Sequence, residues 1–253
     1  MRCAGDIFAY LEACAPLAWA ESWDSAGFLV GDLAHSYDRC VVAIDLTPAL
    51  LSYENTLFIV HHPPIFKKGL EHVLAGSLIY EMIKRGNGVL AMHTNFDRAF
   101  IPYQVAEALG FQPCGRILDG LSLGLTPGIG YGIWGECEAQ SSELVSQAVS
   151  KLFGLSALSV YGDPKRLVSR IAFAAGSVGS MIPQDGCDLF IGGEIGYHQA
   201  LAASHRNMTV FGLGHTESEC FFIDTLVSWL KAYGVQADAY RVKPHVRSFY
   251  VTV

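Results

Sequence analysis

Four apolar, strand-like runs in this chain each end on an ionisable side chain, and this recurrence constrains the fold more than any other feature. Cys40 to Leu46 (CVVAIDL) carries Asp45 at its end. Thr56 to Val60 (TLFIV) runs into His61-His62-Pro63-Pro64. Gly88 to Met92 runs into His93, and the stretch MTVFGLG runs into His215. Continuous β-branched runs suit strands covered on both faces, which is the habit of parallel sheets. In such sheets, ligand sites form outside the carboxyl ends of the strands. Helical spacings alternate with the runs. Ser77 to Arg85 places Leu78, Ile79, Met82 and Ile83 on one face and stops at Gly86, Tyr103 to Leu109 closes on Gly110, and Ser141 to Phe153 is amphipathic. Further strands are expected at 168–175, 188–191 and 248–251. A helix is expected near His198, and one long helix from about Thr216 to Tyr233. The pattern predicts an α/β fold of two interlinked α/β lobes with a mostly parallel sheet and a site at the strand C-terminal ends. A glycine-rich shift near residues 112–130 marks the boundary. Residues 1–120 are read as the first lobe with the HHPP and HTNFD motifs, 121–205 as the second, and 206–253 as a return to the first with GHTESE.

Composition narrows the functional classes. Hydrophobic residues make up 51% of the 253 and charged residues 16%, the reverse of a disordered chain. With so few charges, part of the apolar surface is expected to lie against other subunits. The net charge of −7 makes nucleic acid an unfavoured partner, unless Lys67, Lys68, Lys84 and Arg85 gather on one rim. No stretch approaches the roughly 20 apolar residues of a membrane helix, and the start has no basic region leading into an apolar one, so no signal peptide is read. The seven cysteines are odd in number, widely spaced and without a CxxC pair. A disulfide framework or Cys-type zinc site is therefore not expected, and a cytoplasmic location is.

The chemistry collects in three places. His61-His62 lies where the chain leaves the sheet, so that two imidazoles can reach one pocket from different sides. As unrelated polar residues at a loop start they need no ligand; neutral imidazole is nevertheless the commonest metal ligand. In His93-Thr94-Asn95-Phe96-Asp97, Asp97 can either bridge two cations or cap the next helix. In His215-Thr216-Glu217-Ser218-Glu219, the i, i+4 spacing puts His215 and Glu219 on one helix face. Thr216 and Glu219 also fit a capping box, and Glu217 competes as the functional acid. Three histidines and two acids form an N/O donor set that suits Zn, Fe, Mn or Co rather than a structural thiolate site. Glu194 and His198 have the spacing of a helix-face pair and can be an acid/base pair, a substrate clamp, or, for His198, a core histidine. Trp23 and Asp24 can line the pocket, but read first as a buried Trp beside an Asp turn. Gly176-Ser177-Val178-Gly179 is a weak anion-cradle pattern. His35, His72, His205 and His245 read as surface residues.

Taken together, the segments ESWDSAGFLVG (21–31), AIDLTP around Asp45, HHPPIF (61–66), HTNFD (93–97), GGEIGYH (192–198) and GHTESE (214–219) resemble the NIF-three-like dinuclear metal-centre family, also catalogued as GTP cyclohydrolase 1 type 2 homologues. The match covers nearly the whole chain. The resemblance implies His61, His62, Asp97, His215 and Glu219 as ligands of two divalent metal ions (Zn, Fe or Mn), with His93 positioning Asp97 or a metal-bound water, and two interlinked lobes in a ring-shaped hexamer without an inserted middle domain. Departures from the family pattern are Ser25 for the usual Asn, Arg98 to Pro102 for a glycine-rich stretch, Gly192 for Thr, and Gln199 after His198; none removes a ligand. Two functions follow as expectations. One is a metal-dependent hydrolase of a phosphoester, nucleotide or cyclic amide acting through a metal-bound water, with Glu194, His198 and His93 as catalytic candidates. The other is a non-catalytic metal-binding or regulatory hexameric scaffold.

Overall fold

The computed structural model describes residues 2–65, 73–117, 123–124 and 132–241. The strands, in chain order, are β1 (Gly27–Val30), β2 (Arg39–Ala43), β3 (Thr56–Val60), β4 (Gly88–Ala91), β5 (Gln112–Ile117), β6 (Leu123–Gly124), β7 (Ile133–Ser141), β8 (Ser159–Tyr161), β9 (Leu167–Ala174), β10 (Leu189–Gly192), β11 (Thr209–Gly212) and β12 (Asp238–Ala239). The α-helices are α1 (Ala4–Cys14), α2 (Leu78–Lys84), α3 (Thr94–Ala99), α4 (Ile101–Leu109), α5 (Ser142–Phe153), α6 (Tyr197–His205), α7 (His215–Ser218) and α8 (Phe221–Ala232). Two sheets result, ordered β1-β4-β3-β2-β12 and β6-β5-β7-β9-β10-β11-β8.

The buried strands explain their own composition. In β2 and β3, Val42, Leu57 and Ile59 face a central core, while Val41, Ala43, Phe58 and Val60 face an outer one under α2. Side chains alternate between faces along a strand, so a strand covered on both sides reads as unbroken apolar sequence. The central core also takes Ile7 and Leu11 of α1, Phe96 of α3, Phe173 of β9, Phe211 of β11 and Phe222 of α8. It therefore joins the inner faces of both sheets. A third core, with Ala172, Phe190 and Val210, lies on the outer face of the larger sheet under α6. The architecture is α/β with two lobes.

Pairing is parallel along β12-β2-β3-β4 and β9-β10-β11. It is antiparallel for β1 with β4, β8 with β11, and β5-β7-β9. The half of the larger sheet around β5 and β7 thus departs from the parallel pattern. β5, β6 and β7 follow one another without a described helix between them, and only a parallel crossover requires one. Sheet membership also shifts the division drawn from composition. Gln112–Ile117 and Thr209–Gly212 belong to the seven-stranded sheet, so the chain enters it before 120 and leaves it after 206. Pairing partners mark that change, and composition does not.

Most helix ends obey local rules. Ser77 and Ser141 accept hydrogen bonds from Tyr80 and Leu144 at the starts of α2 and α5, and Gly110 closes α4 at φ +71°. One expectation is corrected. The long helix expected from Thr216 to Tyr233 is broken into α7 and α8 at Glu219-Cys220. The strand expected at 248–251 lies outside the described residues. No helix among the described residues is long and apolar enough to cross a membrane.

Candidate metal centre

The parallel strands of both sheets deliver their carboxyl ends to one place. β2 and β3 pair in register, Ala43 opposite Val60, and beyond that pair the His62 amide bonds to the Ile44 carbonyl. Asp45 and His62 thereby become neighbours, with Asp45 Oδ1 2.8 Å from His62 Nδ1. β4 ends one turn before His93 and α3. From the larger sheet, β11 leads through Gly214 into α7, which starts on His215.

Glu219 lies at the centre. Its Oε1 is 3.4 Å from His61 Nε2 and 3.3 Å from His215 Nε2, and its Oε2 is 3.2 Å from His62 Nε2. Asp97 Oδ1 lies 3.3 Å from the same His61 nitrogen. Glu219, His61 and Asp97 are buried. Yet Nε2 of His61, Nε2 of His62, Oδ1 of Asp97 and Oε2 of Glu219 have no hydrogen-bond partner among the described residues. They approach one another out of line for hydrogen bonding and converge on shared points of space. Buried polar atoms are almost always partnered, and a set of orphans aimed inward fits a cation.

The outward-facing nitrogens support the same reading. His61 Nδ1 lies 2.9 Å from the Met92 carbonyl oxygen, which can only accept, so Nδ1 carries the hydrogen and Nε2 is free to ligate. His62 Nδ1 meets Asp45, His93 Nδ1 meets Asp24 at 2.9 Å, and His215 Nδ1 meets Glu194 at 3.2 Å. A carbonyl or carboxylate behind each imidazole fixes its ring and tautomer, as metal-ligating histidines require. Three groups of side chains could each hold an ion: His61, His62 and His93; His62, His215 and Glu219; His61, Asp97 and Glu219.

Without a cation the cluster is strongly coupled. Burial opposes a charged His61, but the carboxylates of Asp97 and Glu219 outweigh it and hold the imidazole well above its ordinary pKa. The Glu219 hydrogen bond raises His215 to about 9. Burial pushes the Glu219 carboxyl up, but the charge of His61 and the close approach of His215 and His62 hold it well below the usual range. Metal ligation requires these histidines to release their protons.

The alternatives open in the sequence separate cleanly by geometry. Glu219 ends α7 rather than capping its start, which is at Gly214, and its carboxylate faces histidines. The half-buried Glu217 turns to the hydroxyl of the exposed Thr216. Asp97 lies within α3 and points to His61, while the Asn95 side chain accepts from the His93 amide at the helix start. His93 is in ring contact with His61 and His62, at 5.2 and 5.6 Å. Glu194 reaches the cluster through His215. His198 is exposed in α6, and its described partner is the Tyr197 ring. Glu194 precedes that helix, so the helix-face pairing of the two residues is corrected. Trp23, read as buried, is 54% exposed, because the adjacent Asp24 is the residue drawn inward, onto His93 and Thr94. His35 and His205 are exposed, and His72 and His245 lie outside the described residues. Gly176 binds the Ser218 hydroxyl through its amide and passes close to Glu219; the segment after it carries only the three-residue 3-10 turn Gly179–Met181.

Sequence reasoning placed Asp45 at a strand end and Asp24 at the pocket, but missed that they stand behind His62 and His93. The signal for Asp45 was its place two residues beyond β2, readable only with the β2–β3 register. Asp24 lies 69 residues from His93, and nothing local in the sequence links them.

Comparison with known proteins agrees with this picture. A family model described as Duf34/NIF3 (NGG1p interacting factor 3) matches residues 3–246. A Campylobacter jejuni protein named GTP cyclohydrolase 1 type 2 homolog is 32% identical over 238 residues, covering 91% of this chain and 93% of that one. NIF3-like protein 1 of Drosophila melanogaster is 30% identical over 230 residues, covering 84% and 76%. The crystal structure of the Staphylococcus aureus hypothetical protein SA1388 superposes with a TM-score of 0.80 at 20% identity, over 98% of this chain and 99% of that one.

Proposed function

This chain belongs to the Duf34/NIF3 family, and from that premise we propose that it is a dinuclear divalent-metal protein working as a metal-dependent hydrolase. The observation that carries the proposal is the convergence of the inward-facing donor atoms of His61, His62, Asp97 and Glu219, buried and unpartnered, on common points. His61, His62, Asp97, His215 and Glu219 would hold the ions, and Glu219 belongs to two of the three candidate groups. All donors are imidazole or carboxylate, which suits Zn, Fe or Mn. Two such ions supply a water of lowered pKa and stabilise developing negative charge on a substrate oxygen.

The remaining residues have roles of their own. Met92, Asp45 and Asp24 hold the rings of His61, His62 and His93 in place. His93, with Asp24 behind Nδ1 and its ring against those of His61 and His62, stands at the cluster as a candidate acid or base. Glu194, more than half exposed and bonded to His215, stands at the solvent side as a candidate acid or base. The substrate classes are a phosphoester, a nucleotide or a cyclic amide; the name of the Campylobacter relative points to a nucleotide. His198 is kept as a residue that reaches an exposed substrate. The proposal includes a cytoplasmic homohexamer, supported by exposed apolar side chains such as Leu74, Ile83, Leu144 and Leu167.

The test is metal content by elemental mass spectrometry on protein purified without chelators. We expect about two ions per chain, falling in both His61→Ala and Glu219→Ala, and an assembly several times the 27.4 kDa of one chain by sedimentation. A wild-type protein that takes up no Zn, Mn or Fe on reconstitution would overturn the metal centre, and a 27.4 kDa species would overturn the hexamer. A loaded protein inert on phosphoester, nucleotide and cyclic-amide panels would move the weight to the scaffold reading.

A further inference from the structure

Trp23 is out of place for its residue type. It is 54% exposed, where Trp134 is 7%, and its open face can stack on another planar ring. Nor is it on a loose loop. The Asp24 carboxylate accepts from the Thr94 amide and hydroxyl and pairs with His93 Nδ1. Two residues before Trp23, the Glu21 amide donates to the Thr94 hydroxyl at 2.9 Å and the Glu21 carboxylate pairs with Arg98. The backbone on both sides of Trp23 is thus clamped to α3 while its ring stands free. The ring is 6.0 Å from that of His93, at an interplanar angle of 75°, and His93 is in turn against His61 and His62. Trp23 is therefore one ring removed from the metal cluster, on a rigid mount.

Charge narrows what such a ring can serve. Five carboxylates pair with the cluster histidines: Asp24, Asp45, Asp97, Glu194 and Glu219. Two divalent ions would leave this assembly net negative. Arg98, the nearest basic residue in the chain to His93, turns to Glu21 and to the Trp19 carbonyl. Among the described residues around this ring carboxylates outnumber cations, which disfavours a polyphosphate there, whereas an uncharged flat ring gains a stacking face.

We propose that Trp23 is a substrate-binding residue, a stacking platform that selects a planar, uncharged heteroaromatic ring and presents it at the cluster, with no requirement for phosphate. This rests on the metal-centre reading for the site but concerns binding alone. The experiment is a calorimetric titration of metal-reconstituted wild type, Trp23→Phe and Trp23→Ala with adenosine, guanosine and cytidine, and with inorganic triphosphate, the metal content of each sample being measured in parallel. The expected result is that at least one nucleoside binds the wild type. Trp23→Phe keeps most of that affinity, and Trp23→Ala loses about 5- to 100-fold, the range a base–aromatic stack supports on alanine substitution. Metal content is equal in all three, and triphosphate binds no tighter than the nucleoside. Unchanged nucleoside affinity in Trp23→Ala overturns the proposal, as does a wild type that binds no nucleoside or prefers triphosphate. A chain that loads no metal sinks the metal-centre reading instead, and the same nucleoside titration on that metal-free protein still decides the part of Trp23.

Discussion

Each histidine of the cluster is a small machine of two nitrogens, one held from behind and one offered forward. The holder is a backbone carbonyl for His61 and a carboxylate for His62, His93 and His215. A close backbone approach is also needed. Gly176, at φ +79°, passes so near Glu219 that a Cβ there would lie 2.9 Å from Oε1. Gly176→Ala should therefore cost about 1–2 kcal/mol from the left-handed backbone alone. It should also push the central carboxylate aside. The expected outcome is a lower Tm by calorimetry together with reduced metal content. Full metal occupancy in a folded Gly176→Ala protein would show that Glu219 tolerates displacement. The pairing of Glu219 with His215 was legible from i, i+4 spacing, but the choice of Glu219 over Glu217 was not, since Glu217 lies in the short helix α7 and Glu219 directly ends it.

Among the elements, the parallel trio β9-β10-β11 supports the larger lobe, and one side chain joins two of its strands at their starts. The Asp188 carboxylate accepts hydrogen bonds from the Ser169 amide and hydroxyl and from the Arg170 amide, at 2.9, 3.1 and 2.9 Å. Partial burial raises its pKa, but those amide and hydroxyl donors outweigh burial and hold it below the ordinary value. A carboxylate depressed on folding adds stability above the unfolded-state pKa of about 4, and that stability is lost as pH falls through the folded value. Asp188→Ala should cost about 1–2 kcal/mol at pH 7, and the gap to wild type should narrow below about pH 4 in urea unfolding. A gap independent of pH would assign the loss to packing. These strands were legible within one or two residues, because apolar runs bounded by glycine and proline mark them. The antiparallel β5–β7 half was less so, since glycine-rich sequence carries little periodicity and its pairing is decided across the sheet.

The whole molecule is held by a central core shared by both sheets, and the cluster bridges the same two bodies. His61, His62 and Asp97 follow β3 and β4 of the smaller sheet, while His215 and Glu219 follow β11 of the larger. Metal bound there ties the lobes together and stabilises only the folded state. At a free concentration 100 times the dissociation constant that amounts to about 2.7 kcal/mol, or roughly 5–10 °C in Tm for a chain of this size. Adding Zn or Mn to chelated protein should raise Tm by about that much, and Glu219→Ala should abolish the rise. An equal rise in the variant would place the metal elsewhere. The lobe boundary itself was only roughly visible in composition, because a chain crossing between packed sheets need not change its residue types when both sides of the crossing are buried.

By itself the sequence determined the α/β class, the parallel strands β2, β3, β4, β9, β10 and β11, the helices α2, α4, α5 and α6, and the residue types at the strand ends. Those follow from local rules, namely burial of both strand faces, helical spacing, and serine and glycine at helix ends. Tertiary structure alone decided which acid meets which imidazole, that Asp24 turns inward while Trp23 faces water, and that the helix after His215 breaks at Glu219. Apart from the i, i+4 pairing of His215 with Glu219, the acid–imidazole pairings join residues from 17 to 158 positions apart. Register and sheet-to-sheet packing set such contacts, and no local pattern in a single chain encodes them.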